Sequence, residues 1–285
     1  MGCDLFREKQ VTNQVEAYLL GFIYADGTIL FSSANKARYS TMKIDLAVKD
    51  EDFLLRLNEY LRGHVSYHSV YLNGKEFKQV RTSVYDVNFV NRLMDLGISH
   101  NKTYEERDYV FTNVPEHLKW HFIRGFFDGD GSITFNSRGQ GEFCVGCHNK
   151  TLMMSIHAYI SRHISTNSNV VAGDGVWRIR YFGNRLLERL CNLLYEDAVL
   201  KLDRKYLLIR DVTGQSKKSS KYRHVRFQPH CYFPYSVWFM IDGRQKTLGR
   251  FRTEHEALEF YTKECEFHGL KPQYELRDEQ EITYG

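Results

Sequence analysis

Tyr18-Leu-Leu-Gly-Phe-Ile-Tyr-Ala-Asp-Gly27 has a near copy further along the chain, Phe122-Ile-Arg-Gly-Phe-Phe-Asp-Gly-Asp-Gly131. Each copy is an apolar run with small residues four apart, Gly21 and Ala25 in the first and Gly125 and Gly129 in the second. Residues at that spacing share one helix face, so each copy is expected to be a buried helix grooved along one side. Both copies close on Asp-Gly, where the glycine suits a left-handed helix cap. Two grooved helices can pack backbone against backbone with their C-terminal ends side by side, which would bring Asp26 and Asp130 almost into touch. A single copy would read as an ordinary buried helix; the repeat points to a duplicated half-domain.

Two neighbouring carboxylates repel each other, and each here sits at the negative end of a helix dipole. A divalent cation resolves the conflict. Magnesium is held by a few carboxylates together with water and substrate phosphates, and it can activate water and stabilise a leaving oxygen. The chemistry suggested is metal-dependent phosphodiester hydrolysis. On these residues the chain resembles the LAGLIDADG homing endonucleases: Leu19 to Gly27 and Ile123 to Gly131 look like that family's paired motifs. The resemblance implies that Asp26 and Asp130 are catalytic and bind Mg²⁺. Tyr24 departs from the motif, which usually carries an acidic residue there, whereas the second copy keeps Asp128. The resemblance also implies a basic residue beyond the last helix of each half that assists the metal centre by charge or by ordering water. Lys102 and Lys205 stand at the matching places, with Lys201 a competitor in the second half.

Elements after the motifs recur in order. Thr41 to Val48 alternates, with Met42, Ile44, Leu46 and Val48 on one face, and an amphipathic helix follows to about Leu61. Glu142 to Cys147 and then Thr151 to about His163 repeat the pattern. Arg81 to Val87 reads as a strand before a helix opening at Asn91-Arg-Leu93, as do Trp177 to Phe182 before Asn184-Arg-Leu186. The expected fold is α+β: two pseudo-symmetric αββαββα half-domains, at 11–118 and 119–213, each with one sheet face buried and one open. Period-two alternation places Lys43, Gln79 and Arg81 on the first open face and Asn136, Arg138, Arg178 and Arg180 on the second. Arginine and lysine pair with guanine edges and asparagine and glutamine with adenine, so these residues are candidate base readers.

Net charge is only +4, but between Gly214 and Arg252 nine basic residues face Asp242 alone, while from Thr253 onward nine acidic residues outnumber three basic ones. The basic block is a polyanion-binding candidate. A polar linker at 214–220 precedes it, and an acidic tail at 271–285 follows. Between them, at 221–270, three short strands (Tyr222 to Arg226, Val237 to Ile241, Lys246 to Phe251), a hairpin turn at Asp242-Gly243 and a helix capped by Thr253 with Glu256 are expected. Tyr222-Arg-His-Val-Arg226, Trp238, Leu248-Gly-Arg-Phe251 and Thr253 to Ala257 resemble the plant APETALA2/ethylene-response-factor DNA-binding domain. That resemblance implies DNA contacts from Arg223, Arg226, Trp238, Arg244, Lys246 and Arg250, and His224 replaces its usual glycine.

Hydrophobic residues make up 42% of the 285, ample for a core. The longest uncharged apolar stretch, Ala17 to Ala25, is far short of the roughly 20 residues of a membrane helix. No membrane partner and no secretion are expected; the location expected is cytoplasmic, in an organelle or in a phage host. Cys144-Val-Gly-Cys147-His148 matches the pattern for haem attachment, but reduced thiols on a strand are the expectation. The combined expectation is a monomeric, Mg²⁺-dependent endonuclease that makes a double-strand break in DNA at a long, rare site, as an intron-borne or other mobile element would encode. An RNA-splicing maturase or a non-cleaving DNA-binding regulator on the same scaffold is the alternative.

Overall fold

The structure, a computed structural model, describes residues 3–32, 35–100, 106–137, 139–208, 224–227, 233–241 and 244–270. Lys102, Arg138, Arg223, the 214–220 linker, the Asp242-Gly243 turn and the 271–285 tail lie outside them. Two compact units divide the chain, Met1–Ile133 with Glu142–Ile209 and Thr134–Gly141 with Arg210–Gly285.

In the first unit, α1 (Gln14–Asp26) leads through β1 (Gly27–Ser32), β2 (Asn35–Ala47), α2 (Glu51–Leu61), β3 (His64–Leu72) and β4 (Lys75–Val84) to α3 (Val87–Asp95). After a short α4 (Tyr109–Thr112) the series recurs as α5 (Lys119–Asp130), β5 (Ser132–Phe135), β6 (Gly141–Cys147), α6 (Lys150–His163), β7 (Val170–Gly173), β8 (Val176–Phe182) and α7 (Asn184–Tyr195). A helical segment, α8, occupies 203–208. The two sheets have the same strand order, β1-β2-β4-β3 and β5-β6-β8-β7, the topology expected of a duplication.

Alternation decides which face each sheet buries. Met42, Ile44, Val80 and Thr82 point inward with Phe53, Leu54 and Leu57 of α2 and Phe89, Val90 and Leu93 of α3, all buried. Phe143, Val145, Ile179 and Tyr181 do the same under Leu152, Met153 and Ile156 of α6. Each such Leu, Ile or Phe contributes about 1.5–3 kcal/mol on burial.

The motif helices α1 and α5 join the halves through their backbones. A Cβ on Gly21 would lie 2.1 Å from the Phe122 carbonyl oxygen, one on Gly125 2.0 Å from the Tyr18 oxygen, and one on Gly129 2.3 Å from the Ala25 Cβ. The small residues therefore make the close approach that their spacing predicts. The glycines after the aspartates act differently from the expected left-handed caps. Gly27 (φ −78°, ψ 147°) and Gly131 (φ −81°, ψ 161°) are extended and feed directly into β1 and β5. Glycine is required there by space, since a Cβ at Gly131 would sit 2.0 Å from the Phe127 ring and one at Gly27 2.6 Å from the Ile23 oxygen.

The first half also begins earlier than residue 11. Cys3, Phe6 and Val11 are buried, Phe6 stacks on Phe89 at 6.2 Å, and the Arg92 guanidinium donates to the Cys3 carbonyl at 2.5 Å. A three-residue apolar set on an irregular segment carries no periodicity, so pattern reading passes over it.

The second unit contains β9 (Val225–Phe227), β10 (Tyr235–Ile241), β11 (Arg244–Phe251) and α9 (Glu254–Phe267), with sheet order β11-β10-β9. Val225, Val237, Phe239, Ala257, Tyr261 and Cys265 form its core. Thr253 and Glu256 make the reciprocal capping box expected at the start of α9. Among the described residues no helix is long and apolar enough to cross a membrane.

Candidate active site and nucleic-acid interface

Asp26 and Asp130 end α1 and α5, and the Gly21/Gly125 contact fixes those ends side by side. Asp26 is half-buried and Asp130 exposed. An Asp26 carboxylate oxygen lies 3.2 Å from where a Gly129 Cβ would be, which puts it against the residue preceding Asp130. Among the described residues no three His, Cys, Asp or Glu side chains gather into a metal-binding group. A cation here would rest on two carboxylates and complete its shell with oxygens from water or substrate, the pattern that suits magnesium.

Lys205 is buried beside this point, at 6% exposure. Its ammonium donates to the carbonyl oxygens of Phe127 (2.7 Å), Asp128 (2.7 Å) and Gly129 (3.2 Å). Three carbonyls take all three ammonium protons. Burial pushes its pKa down to about 8, against the pull of Asp128, Asp26 and Asp130. Lys205 thus holds the C-terminal carbonyls of α5 and sets its positive charge within electrostatic reach of Asp26 and Asp130. Lys201 lies elsewhere, over the Tyr206 ring at 4.0 Å.

The acidic residue that only the second motif keeps serves the core. Asp128 accepts from the Tyr18 hydroxyl (2.7 Å), the Tyr195 hydroxyl (2.7 Å) and the Leu202 N–H (2.8 Å), so one carboxylate ties together α1, α5, α7 and the approach to α8. Burial raises its pKa. Tyr24, its counterpart in the first motif, accepts from Asn149 (3.2 Å), whose own oxygen caps α6 at Leu152 N.

Arg124, unremarked in the sequence because it interrupts an apolar run, is 1% exposed. It donates to the Leu200 (2.9 Å) and Leu194 (2.8 Å) carbonyls and lies 5.2 Å from the Tyr18 ring centroid. A charged residue inside an otherwise apolar motif was the signal available. Arg124 also bonds His121 Nδ1 at 2.8 Å. Burial first, then the guanidinium, depress the His121 pKa from 6.5 to about 4. In that window the unfolded chain binds a proton that the folded ring refuses, so stability is lost as pH falls from 6.5 towards 4. Discounted for a half-buried ring, the loss should be about 1 kcal/mol. Urea melts of wild type and His121→Gln at pH 7 and 5 measure it: the wild type should lose that much more than the variant.

Beside Asp130 opens a cleft of about 380 Å³ lined by Tyr24, Ser132, Cys144, Cys147, His148 and Arg178 among others. Cys144 and Cys147 are free thiols, as expected, and burial raises Cys147 to about 12, which leaves it unreactive.

The cleft reaches the open face of the second sheet at Cys144, Gly146 and Arg178. Directly opposed residues share a face. On the first sheet Lys43 pairs with Ser83, Asp45 with Arg81, and Ala47 with Gln79; on the second, Glu142 pairs with Phe182, Cys144 with Arg180, and Gly146 with Arg178. Lys43, Gln79, Arg81, Arg178 and Arg180 thus lie where alternation puts them. Asn136 follows the last residue of β5, Phe135, and its side chain bonds Gln140 across the turn.

In the second unit, Arg226 and Arg250 flank Ser236 in one row across all three strands. Both arginines are exposed. Trp238, on the same side of β10 as Ser236, meets the His224 ring edge-on at 4.9 Å. Lys246 sits on the other side. A register shift between Val237 and Trp238 gives β11 an extra residue, so that Lys246 falls opposite core-facing Phe239 and leaves the arginine face. Arg244 begins β11 opposite Ile241.

Residues 118–194 match the LAGLIDADG-like domain family, a span that begins one residue before α5 and ends within α7. No curated protein sequence matches the chain. The homing endonuclease I-WcaI bound to its DNA recognition sequence is similar in structure, at 12% identity and a TM-score of 0.51, over 72% of this chain and 94% of that one. The LAGLIDADG meganuclease I-AabMI bound to uncleaved DNA is similar at 17% identity and a TM-score of 0.49, over 72% and 92%. Full-length DUF199/WhiA from Thermatoga maritima is similar at 16% identity and a TM-score of 0.44, over 73% and 63%. The chain has the two-half-domain fold of the LAGLIDADG meganucleases, followed by a small three-stranded sheet with one helix.

Proposed function

We propose that the protein is a site-specific DNA endonuclease, active as a monomer, that makes a metal-dependent double-strand break at a long recognition site. The observation that carries this reading is that Asp26 and Asp130 close two helices in backbone contact, with an Asp26 oxygen against the residue before Asp130. Their oxygen donors suit Mg²⁺. The cation, when bound, supplies Lewis-acid activation of water and stabilises the leaving oxygen. Asp26 and Asp130 would hold it. Lys205 offsets the negative end of α5 beneath Asp130, and Lys102 is its counterpart in the first half by position in the sequence. The duplication makes a second chain unnecessary, because each half brings its own aspartate.

The open faces supply the duplex contacts through Lys43, Gln79, Arg81, Arg178 and Arg180. Arg226, Arg250 and Trp238 on the C-terminal unit, together with Arg223 and Arg244, add a second DNA-binding surface in the manner of the APETALA2/ethylene-response-factor domain. An intron or another mobile element is the proposed genetic setting. The rival reading is a regulator or RNA-splicing maturase that binds nucleic acid on the same scaffold without cutting.

Incubation of purified protein with a randomised duplex library, in Mg²⁺ and in EDTA, tests the choice. Metal-dependent breaks at one recurring sequence are expected. Selective binding with intact DNA in Mg²⁺ would transfer the reading to the rival.

A further inference from the structure

Cys144-Val-Gly-Cys147-His148 ends in a histidine to which the endonuclease reading gives no task. His148 is exposed and lines the cleft that opens beside Asp130. Its Nδ1 lies 2.8 Å from the Gly175 carbonyl oxygen. A carbonyl oxygen only accepts, so Nδ1 carries the hydrogen of the neutral ring and Nε2 is the acceptor nitrogen.

The ring is held from two directions. β7 and β8 pair as far as Gly173 with Val176. Asp174 (φ 54°) and Gly175 (φ 74°) therefore form a two-residue turn with both φ positive, the type I′ pattern, and this turn presents the Gly175 carbonyl. Arg178 braces it by donating to the Gly173 carbonyl at 2.6 Å. On the other side, the next residue, Asn149, is 1% exposed; it caps α6 at the Leu152 N–H and donates to the Tyr24 hydroxyl and to the Arg107 carbonyl. The fold does not demand a histidine here, because the residue before the N-cap of α2, Asp50, is Lys49. The cleft offers few other proton acceptors. Burial keeps the Cys144 and Cys147 thiols protonated, arginine has no acceptor atom, and Asp130 is committed to the cation under the reading above.

We propose that His148 is a general base for the phosphodiester cut beside Asp130, its Nε2 taking a proton from the attacking water. As that proton leaves, the water oxygen bonds to phosphorus, one phosphorus–ester oxygen bond breaks, and the departing oxygen takes a proton from solvent. The imidazolium so formed shares its cleft with the Asp130 carboxylate and, being exposed, returns its proton to water. Nδ1 keeps its hydrogen throughout, so the Gly175 carbonyl holds the ring in one orientation and one tautomer. A base fixed in this way is in place before substrate arrives. This inference rests on the endonuclease reading above.

The test is single-turnover cleavage in Mg²⁺ of the duplex that the wild type selects, by the full chain and by its His148→Ala and His148→Gln variants. Each variant should lose about a hundredfold in rate and keep the wild-type affinity for the same duplex in EDTA. Glutamine can order a water but cannot take its proton, so it separates a base from a mere hydrogen-bond acceptor. A second readout needs no cutting: in the free wild-type protein at about pH 8, two-bond ¹H–¹⁵N NMR should show the His148 ring protonated at Nδ1 alone. A wild-type rate in either variant, a slower rate that weaker binding accounts for, or a ring protonated at Nε2 would overturn the inference and leave the endonuclease reading in place. A wild type that binds the duplex in Mg²⁺ without cutting it would overturn both.

Discussion

Gly125→Ala should cost about 3–5 kcal/mol, enough to leave little folded protein at physiological temperature. The new Cβ would stand 2.0 Å from the Tyr18 carbonyl oxygen and 2.9 Å from the Phe22 nitrogen. Both neighbours are backbone atoms of α1, so no side chain can rotate out of the way, and relief must come from moving one helix off the other. That movement loosens the reciprocal contact of Gly21 with the Phe122 oxygen and the seat of Gly129 against Ala25. It also pulls on the Tyr18–Asp128 hydrogen bond, which spans the same interface. Overpacking in a core that can adjust usually costs less, about 1–3 kcal/mol; here the wall is rigid. Ala25→Gly is the control, since it opens space on the same face and should cost only the helix-propensity difference, about 1 kcal/mol. Urea unfolding followed by circular dichroism compares the two, and a Gly125→Ala midpoint as mild as that of Ala25→Gly would refute the rigid contact.

The same helices show which features can be read from the sequence. Small residues four apart and a repeated motif specify a backbone-to-backbone helix pair, because both the groove and the duplication are properties of side-chain size and spacing. Sheet faces followed from alternation for Lys43, Arg81, Arg178 and Arg180. What escaped depended on backbone geometry. Lys205 could be expected near the metal centre, but the carbonyl oxygens of α5 that hold its ammonium are backbone atoms that no residue letter encodes. Lys246 changed sides because the extra residue that follows it in β11 inverts the period-two rule between it and Arg250. Arg124 and Asp128 sat in plain view within the motif, but their partners at Leu194, Leu200, Tyr195 and Leu202 lie far along the chain, and long-range pairing leaves no local pattern.

Under the endonuclease reading, Asp26→Asn and Asp130→Asn should each reduce cleavage at least about a thousandfold, equivalent to roughly 4 kcal/mol of transition-state stabilisation. Asparagine keeps the shape and one oxygen of the side chain but removes the charge that a hard divalent cation needs. Binding to the selected duplex should hold or tighten slightly, because a negative charge facing phosphates has been removed. Folding should hold as well, since each carboxylate sits at the unfavourable C-terminal end of its own helix dipole and its neutralisation relieves that repulsion. Low activity with intact binding and an unchanged melt separates a lost metal ligand from a damaged fold, which the Gly125 variant would show. Supercoiled plasmid carrying the selected site then gives the finer readout. If the two aspartates act as one centre, either substitution should stop both nicking and linearisation; if each serves one strand, each variant should accumulate nicked circles. Undiminished linearisation by either variant would remove that aspartate from the chemistry.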